Sequence, residues 1–203
     1  MHDEALSTIT KAVWEKCGFL GNMYLAGGTS LALQIGHRRS VDLDFFSTMP
    51  IKKSLRSEIE KRFASVIPIV QSGDELTVMV DDVKLTALHY PFVLLYEKVK
   101  TPTVPLASVA DIASMKAYTL GRRQSLKDYV DLHAILVRDI ISLSSIIADA
   151  QKKYGDAFND RLFCEQLLFT DDLENEPIDW IGESISKDDM KPLFKMKITE
   201  VFA

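Results

Sequence analysis

Cysteine is scarce in this chain of 203 residues: there are two, Cys17 and Cys164, far apart and without metal-ligand spacing. That argues against a disulfide framework or a thiolate metal site, and plain buried thiols in a reduced, cytoplasmic setting are the expectation. No apolar run reaches the ~18 residues of a spanning helix. Asp3 and Glu4 stand where a secretory signal would carry positive charge, so neither a membrane segment nor a leader is expected. A basic surplus is missing too, since 24 Lys and Arg against 29 Asp and Glu give −5. This argues against a generally basic nucleic-acid binder, yet the charge is uneven. Residues 1–127 hold 16 basic against 13 acidic side chains and residues 128–203 hold 8 against 16, so a polyanion is steered to the first part. Hydrophobic residues make up 47%, enough to fill the core of one large domain or two small ones.

The densest chemistry lies between Tyr24 and Phe46. An apolar strand over 23–26 leads into Gly27 and Gly28, which let the backbone turn and approach a ligand with no Cβ in the way. Thr29 or Ser30 is placed to cap the helix that follows, and Leu31, Leu33 and Ile35 are its residues to bury. The free amides and partial positive charge of that helix start suit a phosphate. Asp42 and Asp44 then flank Leu43 in a second strand, where positions i and i+2 share a face. Two carboxylates pointing one way repel, and a divalent cation with oxygen ligands is the usual remedy. Phosphate and metal together point to nucleotide chemistry.

Around this stretch, Ala5, Ile9, Ala12 and Val13 predict an N-terminal helix stopped at Gly18 and Gly21. Leu55, Ile59 and Phe63 predict an amphipathic helix with a basic outer face of Lys52, Lys53, Arg56, Lys61 and Arg62, either solvated or in contact with nucleic acid. Three strands are expected at 66–70, 76–80 and 83–88, turning at Gly73-Asp74 and Asp81-Asp82. With the strands at 23–26 and 42–46 they make a mixed sheet of about five strands with helices, an α+β fold. In the last strand Lys84 and Thr86 share a face. Prolines at 91, 102 and 105 mark an extended connection, and a boundary near 104 divides an α/β domain, 1–104, from a C-terminal helical bundle, 105–203.

In that second part Lys116 interrupts the apolar stripe of Val109, Ile112, Ala113, Ala117 and Leu120. Such a lysine either snorkels or meets a buried anion, and a site role and a packing role both stay open. Gly121, Arg122 and Arg123 are expected to close that helix. On the next, Leu126, Tyr129, Val130, His133, Leu136 and Val137 form the core face, so Lys127, Asp128 and Asp131 are expected to project elsewhere. The plainest reading there is an i,i+4 pair of Lys127 with Asp131. Later helices are expected at 140–150, 161–168 and 190–201, with an acidic, solvated loop at 171–179 between the last two.

Two blocks carry a resemblance: Gly-Gly-Thr-Ser-Leu-x-Leu followed by His-Arg-x-Ser-x-Asp-Leu-Asp-Phe-Phe, and Asp111 to Lys116 with Lys127-Asp128-x-x-Asp131. The chain resembles the AbiEii/AbiGii family of nucleotidyltransferase-like toxins, in the polymerase-β-type superfamily. The resemblance implies a nucleotidyltransferase-like fold and a cytoplasmic enzyme that moves a nucleoside monophosphate from an NTP to an RNA, tRNA among them, or to a protein. Mg²⁺ or Mn²⁺ would be held by Asp42 and Asp44, and the nucleotide by Gly27, Gly28, Thr29 or Ser30. Arg38 is a further substrate contact, and His37 a surface loop residue that helps hold the turn. Lys116 and Lys127 would meet triphosphate oxygens, while Asp128 or Asp131 orients a lysine or accepts a proton. It further implies the toxin of a type IV toxin–antitoxin or abortive-infection system, with an antitoxin as counterpart. A third carboxylate often stands on the strand beside Asp-x-Asp in the superfamily, and Thr86 stands there here. That departure keeps a degenerate, binding-only member of the fold as the alternative. A metal-dependent sugar transferase would need a larger parallel-sheet domain.

Overall fold

The structure is a computed structural model and describes residues 1–120, 122–123 and 125–203. Gly121, one of the expected helix stops, lies outside the described residues. The chain divides into two compact units, one of Met1–Val93 with Glu97–Ser108, the other of Leu94–Tyr96 with Val109–Ala203.

In the first unit the expected N-terminal helix is shorter and differently faced. Helix α1 is Thr8–Glu15, capped by the Ser7 hydroxyl, which accepts from Thr10 N–H at 3.0 Å. It buries Thr10, Val13 and Trp14, whereas Ile9 is exposed because its stripe runs one position off the expected one. Strand β1, Tyr24–Leu25, leads into α2, Gly27–Ile35, which ends on a left-handed Gly36. Strand β2, Leu43–Ser47, is followed by helix α3, Leu55–Glu60, and by β3, Val66–Gln71, β4, Glu75–Val80, and β5, Val83–His89.

The sheet order is β1-β2-β5-β4-β3. All pairings are antiparallel except β2 with β5, which is parallel. Asp81 and Asp82 both take positive φ, 44° and 68°, the two-residue turn whose twist suits a β4–β5 hairpin. One face of the sheet is apolar: Leu43, Phe45, Leu76, Val78, Val80, Val83, Leu85 and Ala87 are buried with Trp14, Leu55, Ile59 and Phe63. Trp14 stacks on Phe45 with ring centroids 6.1 Å apart. Strand β3 is an edge, so Ile67 and Ile69 stay exposed. Pro68 and a register shift between Pro68 and Val70 blunt that edge against pairing with another chain.

The second unit is helical: α4, Val109–Thr119, α5, Leu126–Val137, α6, Leu143–Tyr154, α7, Asp160–Leu168, and α8, Lys187–Phe202. Tyr118 and Tyr154 stack at 3.9 Å between α4 and α6, and Phe194 of α8 packs edge-on against Tyr129 and His133 of α5. The segment Leu94–Tyr96 is clamped to this unit through Asp111. That carboxylate accepts the N–H groups of Leu95 (2.8 Å) and Tyr96 (3.1 Å) and pairs with the fully buried Lys153 at 3.0 Å. Burial pushes the Cys17 thiol up to about 12 and the Cys164 thiol up to about 11, so neither is a thiolate near neutrality. The result is an α+β fold of a five-stranded mixed sheet followed by a helical bundle, as expected.

Candidate active site

The first unit brings Gly27, Asp42, Asp44 and Lys84 to one face. Along β2 the buried residues are Leu43, Phe45 and Ser47, while Asp42, Asp44 and Phe46 are half-exposed, so both carboxylates lie on the face away from the core. Asp42 itself stands one residue before the strand. Gly27 has φ +68°, and a Cβ built there would lie 3.2 Å from Asp44 Oδ2. A side chain at this turn would crowd the second carboxylate, and only a residue without one holds the turn without strain.

Thr29 and Ser30 are not caps. The N-cap is Ala26 without a side-chain bond, and Thr29 and Ser30 lie inside the first turn, 1% and 0% exposed. The Thr29 hydroxyl donates to the Asp42 carbonyl and is hydrogen-bonded to Ser40 Oγ at 2.7 Å. It therefore ties α2 to the backbone that carries the first carboxylate. Ser30 Oγ accepts from Gln34 Nε2 at 3.3 Å. Any anion at this helix start would meet backbone amides rather than these hydroxyls. His37, expected on a surface loop, and Arg38 are both 4% exposed, and Arg38 Nη1 donates to the Arg39 carbonyl at 3.1 Å.

Parallel pairing puts Leu43 beside Leu85 and Asp44 beside Thr86. One step back in that register, Lys84 meets Asp42, Nζ to Oδ2 3.0 Å, with both side chains about two-fifths exposed. Thr86 is next to Thr77 of β4, their hydroxyls 3.4 Å apart, and Thr77 donates to Glu75 at 2.7 Å. A hollow of about 170 Å³ opens beside Asp42, lined by Ser7, Thr10, Val41, Asp82 and Lys84 among others. In the sequence Lys84 shows only the face it shares with Thr86. The signal was its parity, but the partner strand was not local.

In the second unit the expected outward projection of Asp128 and Asp131 is corrected: they are 1% and 0% exposed, while Val137 is 52% exposed. The buried stripe of α5 is wider than the apolar residues because the acids have a cation to meet. Lys116 Nζ lies 2.7 Å from Asp128 Oδ1 and 2.5 Å from Asp131 Oδ2. Arg123 adds a fork to Asp128 through Nε and Nη2 at 2.8 and 2.9 Å. Burial alone would push the Lys116 ammonium down, but Asp131 and Asp128 outweigh it and hold it above its ordinary value. Burial likewise works to raise Asp128, and Lys116 and Arg123 overcome it and hold the carboxyl low.

The i,i+4 pair of Lys127 with Asp131 does not form. Lys127, 43% exposed, lies 3.7 Å from Glu176 instead. Glu176 is no solvated member of its loop either, since its Oε1 accepts the Leu126 N–H at 2.9 Å and satisfies the start of α5.

Among the described residues no group of three or more His, Cys, Asp or Glu could hold a metal ion. The two carboxylates on one face, all-oxygen and beside a turn that carries no side chain, fit a single hard cation. Among the described residues no helix is long and apolar enough to cross a membrane.

Solved structures place the fold among the nucleotidyltransferase-like proteins. MenT4, a nucleotidyltransferase toxin of Mycobacterium tuberculosis H37Rv, superposes with TM-score 0.67 at 18% identity, covering 96% of this chain and 82% of that one. JHP933 from Helicobacter pylori gives TM-score 0.57 at 16% identity, over 100% and 95%. The family model described as nucleotidyl transferase AbiEii toxin, type IV TA system, matches residues 14–95 and 75–202. An uncharacterised protein of Aquifex aeolicus (strain VF5) is 31% identical over 191 residues, 90% of this chain and 89% of that protein. The chain belongs to the AbiEii nucleotidyltransferase toxin family, and as a member it is a nucleotidyltransferase.

Proposed function

We propose that this protein transfers a nucleoside monophosphate from an NTP to an RNA acceptor, with tRNA the first to test and protein the second, in a reaction that depends on Mg²⁺ or Mn²⁺. Asp42 and Asp44 would hold the ion, and the observation that carries this is their common face beside the Gly27 turn, which carries no side chain. When bound, the ion neutralises charge on the phosphoryl oxygens and lowers the pKa of an acceptor hydroxyl. Gly27 and Gly28 are half-buried, not sealed, so the backbone of this turn stays open to an anion. The α2 amides from Gly28 onward would receive phosphate oxygens, with Thr29 fixing the spacing between that helix and Asp42. Arg38, largely buried, would act by shaping this loop rather than by reaching out.

In the helical unit Lys127 is the better phosphate ligand of the two lysines, being half-exposed with a distant partner. Lys116 is oriented by Asp128 and Asp131, and serves as their internal counter-charge. The biological setting we infer is a cytoplasmic toxin of a type IV toxin–antitoxin or abortive-infection system, opposed by an antitoxin; family membership supports this reading.

The test is incubation with each labelled NTP, Mg²⁺ and total cellular RNA. Labelled RNA that disappears with Asp42→Ala or Asp44→Ala supports the reading; labelling undiminished by either change refutes the metal assignment. Thr86 beside Asp44 favours a second reading, a nucleotide-binding member without turnover. Single-turnover assays that show bound triphosphate and no product in any acceptor fraction would establish it.

A further inference from the structure

Lysines stand against carboxylates at Lys153 with Asp111, at Lys116 with Asp128 and Asp131, and at Lys84 with Asp42. The first two are buried and hold helices together. The third is exposed, and it touches a residue of the centre itself.

We propose that this centre takes one divalent cation, and that the Lys84 ammonium supplies the positive charge at Asp42 where a second ion would otherwise bind. The inference rests on Asp42 and Asp44 being the cation ligands. Its basis is the β2–β5 register. Parallel pairing fixes Thr86 beside Asp44 and Lys84 beside Asp42, on the same face as both acids. The neighbouring strand therefore offers a hydroxyl and an ammonium, and no carboxylate, to the pair.

Two other acids stand near and neither fills the gap. Asp82 lies in the hairpin turn at φ 68°, beyond the end of β5, so the ladder does not carry it to Asp44. Glu75 is on β4, separated from β2 by the whole of β5, and its carboxylate accepts from Thr77. Two divalent ions would bring four positive charges to two carboxylates with a lysine already 3.0 Å from one of them. One ion with one ammonium leaves a charge that a triphosphate's oxygens can complete.

The experiment is a Mn²⁺ titration followed by electron paramagnetic resonance, on the full chain with a non-hydrolysable triphosphate analogue. One Mn²⁺ per bound analogue, lost in Asp44→Asn, is the expected result. Two ions per analogue overturn the proposal and leave the metal assignment standing; one ion that persists in Asp44→Asn and also when Asp42→Asn is added to it is held by phosphates alone and overturns the assignment itself. Lys84→Met, at a half-exposed position, removes a like charge from beside the ion and should tighten Mn²⁺ binding about tenfold, while Lys84→Arg keeps the native affinity. Equal affinity in all three chains would show that the ammonium does not face the centre.

Discussion

Asp44 occupies the space where a side chain on Gly27 would go: a Cβ on the glycine would lie 3.2 Å from the carboxylate oxygen Oδ2, at a φ of +68°. The turn and the acid are thus a single unit of structure. Gly27→Ala combines the left-handed penalty of about 1–2 kcal/mol with displacement of Asp44. Urea unfolding should show that modest loss, whereas nucleotidyl transfer falls much further. Equal, small losses in both would separate the turn from the chemistry.

The Lys116 ammonium is shared by Asp128 and Asp131 inside the helical unit. Lys116→Met takes the shared ammonium from two buried carboxylates and leaves Asp128 to Arg123, which should cost about 3–5 kcal/mol. Denaturant midpoints measure this. A stable Lys116→Met chain with weakened triphosphate binding would give this lysine a direct part in the reaction.

Stability should vary with pH in steps of known sign. Burial holds His133 below its ordinary 6.5, so the unfolded chain takes the proton first and stability declines as pH falls below that value. Asp128 is held below 3.8 despite its burial; its contribution is present above that pH and is lost as acid protonates it in the fold. Lys116 is held above 10.5, so its contribution is complete below that pH and is lost as pH rises through the folded value. Urea midpoints across pH should be flat between the His133 step and about pH 9, above which the unfolded chain loses the Cys17 and Cys164 thiol protons before the fold does and stability begins to fall. His133→Leu should abolish the first decline and leave the acid one.

Glu176 accepts the first amide of α5, the helix that carries both buried acids. Glu176→Ala should cost about 1 kcal/mol, as lost helix caps do, or roughly 2–4 °C in melting temperature for a chain of this size. Glu176→Gln keeps the acceptor and should retain most of that. Melting curves for the pair distinguish a cap from a charge effect, since only the latter would make the two variants alike.

Local pattern made much of this legible. Alternation placed the strands at 66–71, 75–80 and 83–89 within a residue or two. The spacing of Asp42 and Asp44 fixed their common face, because strand parity belongs to the chain itself. Helical periodicity failed on α5, where polar residues lie on the buried side. A carboxylate enters the interior when a cation from another helix meets it, and that cation is 12 or more positions away in sequence.

The sequence by itself determined the order of strands and helices, the glycine turn before the acids, and the family to which the two motif blocks belong. Only the tertiary structure decided that β2 runs parallel to β5, that Lys84 therefore stands at Asp42, that Thr29 braces a carbonyl instead of capping, and that Lys116 is enclosed by two acids. Periodicity and turn chemistry act over a few neighbouring residues and are written in the chain. Register between distant strands and pairing of buried charges depend on which surfaces meet, and the free energy of the whole fold selects those.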